Sequence, residues 1–78
     1  MIKVYTKNNC VQCTQTKRLL TQLEIQFEEI NIENDPKMID EFKQKGFLAM
    51  PIVVTDRGSW SGFKYERIQG LPHKKDNK

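Results

Sequence analysis

Apolar positions along this chain change their spacing several times, and each change marks an element. Ile2-Lys3-Val4-Tyr5 alternates apolar and mixed residues, the period of a strand. The polar run from Thr6 to Asn9 is a loop, and Asn9 with Gln12 three residues on has the form of a helix N-cap with its capping-box partner. Leu19, Leu20 and Leu23 then form an apolar stripe at helical spacing, so a first helix is expected from Cys10 to Leu23. From Ile25 to Ile32 the apolar residues fall on both parities, as they do in a strand covered on both faces.

Asp35-Pro36 caps and starts a second helix that turns Met38, Ile39 and Phe42 toward the core and stops at Gly46, a residue suited to the left-handed position after a helix. Pro51 to Thr55 is the most β-prone run, with its proline tolerated at a strand start. Asp56-Arg57-Gly58 reads as a three-residue hairpin connection into a strand at Ser59-Trp60-Ser61. Lys64 to Leu71 forms a short third helix ended by Gly70 and Pro72. The order βαβαββα shows no repeat or linker. It predicts one α/β domain over residues 1–72, with a mostly parallel sheet, helices on both faces and one antiparallel hairpin.

Composition narrows the functions such a domain can have. At 78 residues the chain has a modest core and little left for a large ligand cavity. Its net charge is +3, but residues 73–78 hold three Lys and one Asp, so the tail alone accounts for +2. The tail is read as disordered. In residues 1–72 ten basic and nine acidic side chains alternate, unlike the clustered footprint of a nucleic-acid binder. No apolar run approaches the ~20 residues that span a bilayer, and the N-terminus opens on an amphipathic strand where a signal peptide would be apolar. These features predict a cytoplasmic protein that binds neither nucleic acid nor membrane and needs no state beyond monomer.

The chemistry concentrates in Cys10-Val11-Gln12-Cys13. A disulfide closing so short a loop is a poor structural staple, which leaves a redox or metal role. Structural zinc needs two further Cys or His ligands and the chain offers only His73, so an intrachain metal site is not expected; a metal bridging two chains, or a partner-binding module built on the thiols, stays open as an alternative. At the start of a helix Cys10 meets unsatisfied N–H groups and the positive end of the macrodipole, which favour thiolate. Cys10 is thus the expected nucleophile and Cys13, about one turn further on, the resolving thiol. No Asp or Glu precedes Glu24, so the first strand and helix offer no carboxylate to take the Cys13 proton.

Cys10-Val11-Gln12-Cys13, Met50-Pro51 and Trp60-Ser61-Gly62-Phe63, at their spacing over residues 1–71, resemble the NrdH-redoxins, glutaredoxin-like electron donors to class Ib ribonucleotide reductase. The resemblance implies a thioredoxin-like fold of glutaredoxin type and a protein-disulfide oxidoreductase with no bound cofactor. It further implies reduction by NADPH through the flavoprotein thioredoxin reductase and delivery of electrons to the disulfide of the reductase's large subunit, for deoxyribonucleotide synthesis. It also implies a cis Met50-Pro51 bond lying against Cys10, with the Met50 backbone open to an extended substrate segment; on base rates alone that bond would be trans.

A glutathione-dependent glutaredoxin is the main alternative. Relatives that bind glutathione carry Gly-Gly closely followed by an acid that holds the tripeptide's amino group, whereas here Ser61-Gly62 leads into Phe63-Lys64-Tyr65 and the first acid is Glu66. The segment also departs from the NrdH-redoxins, where Arg-Pro-Asp commonly follows the motif and this chain has Lys64-Tyr65-Glu66. Trp60 and Phe63 divide between core and an apolar patch beside the cysteines. The partner surface is expected to use Val11, Gln12, Met50, Pro51, Trp60, Ser61, Gly62 and Phe63, with Lys7 either solvated or aiding the thiolate.

Overall fold

The computed structural model describes residues 2–72. Along the chain run β1 (Ile2–Thr6), α1 (Val11–Gln22), β2 (Phe27–Asn31), α2 (Pro36–Gln44), β3 (Ile52–Thr55), β4 (Gly58–Ser61) and α3 (Tyr65–Gln69), the expected βαβαββα order. They form one four-stranded sheet in the order β2-β1-β3-β4.

The sheet is mixed, against the expectation of a mostly parallel one. β1 and β2 are parallel, but β3 is antiparallel to both β1 and β4. The reason lies in residues 45–51, which return the chain to the C-terminal end of β1 before β3 begins. Ile52 therefore pairs with Tyr5 and Val54 with Lys3. This reversal brings Met50 and Pro51 to the end of the sheet from which Cys10 emerges.

Alternation along the strands sorts side chains onto two faces. Val4, Val53 and Trp60 pack with Leu20 and Leu23 of the α1 segment, with Ile25, and with Ile68 and Leu71 at α3. On the other face Ile32 and Ile52 pack with Phe42 of α2, flanked by Tyr5, Ile30, Met38 and Ile39. The helices thus cover both faces. β2 reads as two-sided because Phe27 joins the first cluster and Ile30 the second, although the ladder is limited to Phe27–Asn31.

Two local readings shift. Asp35 caps α2 as expected, its carboxylate accepting the Met38 N–H at 3.1 Å with Pro36 in the first turn. Asn9, however, is not the cap of α1: it sits at φ 56 and turns the chain. A cap residue has extended dihedrals, and Cys10 has them at φ −117 and ψ 106. The helix therefore starts one residue later, at Val11. The β3–β4 hairpin is also tighter than expected, since Gly58 pairs with Thr55 and only Asp56 and Arg57 lie between the strands.

Candidate active site

Cys10 and Cys13 are joined as a disulfide with their Cα atoms 5.2 Å apart, at the start of α1. The Cys10 Sγ accepts the Cys13 N–H at 3.1 Å, so the sulfur itself does the work of the N-cap. The first turn of α1 holds no acidic residue to offset the macrodipole there. Cys10 is half-buried and Cys13 is 2% exposed. The two sulfurs are therefore unequal, one reachable from solvent and the other inside.

Three segments distant in sequence meet around this turn. Gln12 Oε1 accepts the Phe63 N–H at 2.8 Å, and Pro51 O accepts the Gly62 N–H at 2.7 Å. Gln12 therefore does not close a capping box; its amide ties the first turn of α1 to the loop after β4. Gly62 is buried with φ +84, and a Cβ there would lie 3.3 Å from Gln12 Oε1. The Met50-Pro51 bond is cis, with Pro51 buried and Met50 half-buried.

The expected partner residues divide by exposure. Val11, between the cysteines, is 72% exposed. Ser61 and Phe63 are half-buried, and Phe63 rests against the α1/α3 cluster. Trp60 is core: it is 5% exposed, and Arg67 covers its ring at 4.7 Å from the centroid. An apolar docking patch has to be drawn without it. Leu48 at 79% and Tyr65 at 54% are exposed instead. Leu48 escaped the sequence reading because it belongs to neither a helical nor an alternating pattern; its position two residues before Met50 was the available signal.

A carboxylate does reach α1, by way of the sheet. Glu29 on β2 pairs in register with Val4, accepts the Thr6 hydroxyl at 2.9 Å and meets Lys17 Nζ at 3.0 Å. Lys17 lies one helical turn beyond Cys13. Its hydrogen bond holds the Glu29 carboxyl below the ordinary carboxylate value of 4.5, against partial desolvation and with help from Thr6. Thr6 and Thr16 are fully buried, and the Thr16 hydroxyl finds no hydrogen-bond partner among the described residues. His73 and the tail lie outside the described residues. Among those described, no group of three or more His, Cys, Asp or Glu gathers as a metal site, and no helix is long and apolar enough to cross a membrane.

The glutaredoxin family matches residues 2–60. The glutaredoxin-like protein NrdH of Lactococcus lactis strain IL1403 is 42% identical over 71 residues, covering 91% of this chain and 99% of the relative. The chain belongs to the NrdH-redoxins of the glutaredoxin family. The NrdH protein of Escherichia coli K12 is 39% identical over 75 residues, covering 92% of this chain and 93% of its own. The solved structure of the E. coli NrdH-redoxin, described as glutaredoxin-like with a thioredoxin-like activity profile, superposes with a TM-score of 0.85 at 37% identity, covering 94% of this chain and 96% of that one. As an NrdH-redoxin with a paired Cys10 and Cys13, the chain is a thiol-disulfide oxidoreductase of thioredoxin-like fold.

Proposed function

We propose that this NrdH-redoxin carries electrons from NADPH, through thioredoxin reductase, to the active-site disulfide of class Ib ribonucleotide reductase. The observation that carries the reading is the unequal pair: a half-buried Cys10 at the cap, accepting an N–H, beside a buried Cys13. In the reduced protein the cap N–H groups stabilise a Cys10 thiolate. That thiolate attacks one sulfur of the partner's disulfide, and the other partner sulfur leaves as a thiolate. Cys13, losing its proton, attacks the Cys10 sulfur of the mixed disulfide, which releases the second partner thiol and forms the Cys10–Cys13 disulfide. Two electrons have then passed to the partner. The dithiol of thioredoxin reductase then reduces the Cys10–Cys13 disulfide by the same kind of exchange and restores the protein.

A partner chain would touch the exposed ones among Val11, Gln12, Met50, Pro51, Ser61, Gly62 and Phe63; Val11 and Gln12 lie between the cysteines, and hydrogen bonds join Gln12 to Phe63 and Pro51 to Gly62. Glutathione is disfavoured as reductant on two grounds. The loop after β4 lacks an early acid, and the Phe63 N–H is already committed to Gln12. The thioredoxin-like activity profile of the E. coli relative supports the same direction.

The test follows NADPH oxidation with the oxidised protein as substrate, comparing thioredoxin reductase with glutathione plus glutathione reductase. Fast turnover only with thioredoxin reductase is the expected result. Turnover mainly through glutathione would make the chain a glutathione-dependent glutaredoxin.

A further inference from the structure

Thr16 is 0% exposed, and its hydroxyl has no hydrogen-bond partner among the described residues. A threonine inside a helix ordinarily turns its hydroxyl to solvent or back to the carbonyl three or four residues before it. Thr14, two residues earlier, does the second: its hydroxyl donates to the Cys10 carbonyl at 3.3 Å. Thr16 does neither. On the buried face of α1 it holds a polar group where an unpaired one costs free energy and a valine of the same shape would not.

The place of that hydroxyl gives it a partner in the reduced protein. Cys13, Thr16 and Leu20 are the buried residues of α1. Residues three apart on a helix are neighbours, and helical side chains lean toward the N-terminus, so Thr16 lies over the turn that carries Cys13. Nearby polar groups are already engaged: the Cys13 N–H donates to Cys10 Sγ, and the Thr6 hydroxyl donates to Glu29, which pairs with Lys17. In the disulfide, Cys13 Sγ is held by Cys10. Reduction frees it, and resolving a mixed disulfide then places negative charge on this buried sulfur, with no carboxylate in β1 or α1 to support it.

We infer that the Thr16 hydroxyl is the hydrogen-bond partner of Cys13 Sγ in the reduced protein, accepting from the thiol and donating to the thiolate. Thr16 keeps its own proton throughout. Cys13 Sγ bonds to Cys10 Sγ, the bond from Cys10 to the partner sulfur breaks, and the proton lost by Cys13 is balanced by the one the departing partner sulfur takes up. The hydroxyl is paired while Cys13 is thiol or thiolate and unpaired in the disulfide, so it stabilises the reduced state and raises the reduction potential. This deepens the proposed function and rests on its premise that Cys13 is the resolving thiol.

The experiment brings the full chain, as wild type, Thr16→Val and Thr16→Ser, to equilibrium in dithiothreitol redox buffers and reads the reduced fraction by thiol alkylation. Valine keeps the shape without the hydroxyl, and serine keeps the hydroxyl. Thr16→Val is expected to shift the equilibrium toward the disulfide about fivefold, the weight of one hydrogen bond, or about 20 mV lower in potential at about 30 mV per tenfold. Thr16→Ser is expected to stay with the wild type. In a Cys10→Ala background, ultraviolet titration of the remaining thiolate should show Thr16→Val raising the Cys13 midpoint by about one pH unit and Thr16→Ser leaving it in place. A hydroxyl that only packs changes oxidised and reduced proteins alike, so an equilibrium unmoved by valine would overturn the inference. Equal shifts in the valine and serine variants, or a Cys13 midpoint that valine does not raise, would do the same. Melting curves verify that the variants fold. Wild-type turnover with thioredoxin reductase beside an unmoved equilibrium rejects the role of Thr16 alone, whereas a fully active Cys13→Ser protein rejects the resolving scheme itself.

Discussion

Gly62→Ala is the substitution whose cost depends most directly on the link between the cysteine turn and the loop after β4. At φ +84 any Cβ is strained by about 1–2 kcal/mol, partly offset by the lower entropy of alanine in the unfolded chain. Gly46, at φ +93, carries the same kind of strain with nothing within 4 Å of its Cβ position. It serves as the reference. At Gly62 the added methyl also meets Gln12 Oε1 at 3.3 Å, tighter than ordinary contact, so the amide has to withdraw from the Phe63 N–H. Losing that bond adds about 1 kcal/mol. Gly46→Ala should therefore cost about 1 kcal/mol and Gly62→Ala about 2, a difference of roughly 4–8 °C in Tm for a domain this size. Urea unfolding of the oxidised proteins measures both. In a Gln12→Ala background the extra ~1 kcal/mol at Gly62 should vanish, as a double-mutant cycle reports. An equal cost at the two glycines, or a Gly62 cost unchanged without the Gln12 amide, would refute the link.

Cys13→Ser should accumulate a mixed disulfide between Cys10 and a protein partner, visible on non-reducing gels, while Cys10→Ser should abolish turnover; a fully active Cys13→Ser protein would end the two-step scheme. Thr16→Val removes a buried hydroxyl without a partner among the described residues at nearly constant shape, and should raise stability by about 1 kcal/mol in urea unfolding. The lowered pKa of Glu29 means its pairing contributes stability above the ordinary carboxylate value of 4.5 and loses it as pH falls through the lowered folded value. The side chain is 37% exposed, so the effect is under about 1 kcal/mol, and Glu29→Gln should flatten that acid limb of the stability profile.

How far the chain could be read without its structure depended on how local each signal was. The βαβαββα order, the Asp35 cap and the stop at Gly46 were legible because period, capping and left-handed glycine act within a few residues. So was the cysteine pair at a helix start, two thiols three positions apart whose spacing carries the redox chemistry. Asn9 misled by one residue, because the capping preference of Asn competes with its tolerance of positive φ, and here the turn took precedence. The direction of β3, the burial of Trp60 and the exposure of Leu48 depend on which faces meet across the sheet.

What the sequence determined by itself is therefore the set of elements and the reacting atoms, both encoded in short windows. Only the tertiary structure decided that β3 runs antiparallel, so that Pro51 returns to the cysteines, that Gln12 holds Phe63 across 51 residues, and that Glu29 reaches Lys17 and Thr6. Contacts of that kind are made by strand register and chain reversal, and no residue carries them in its own neighbourhood of the chain.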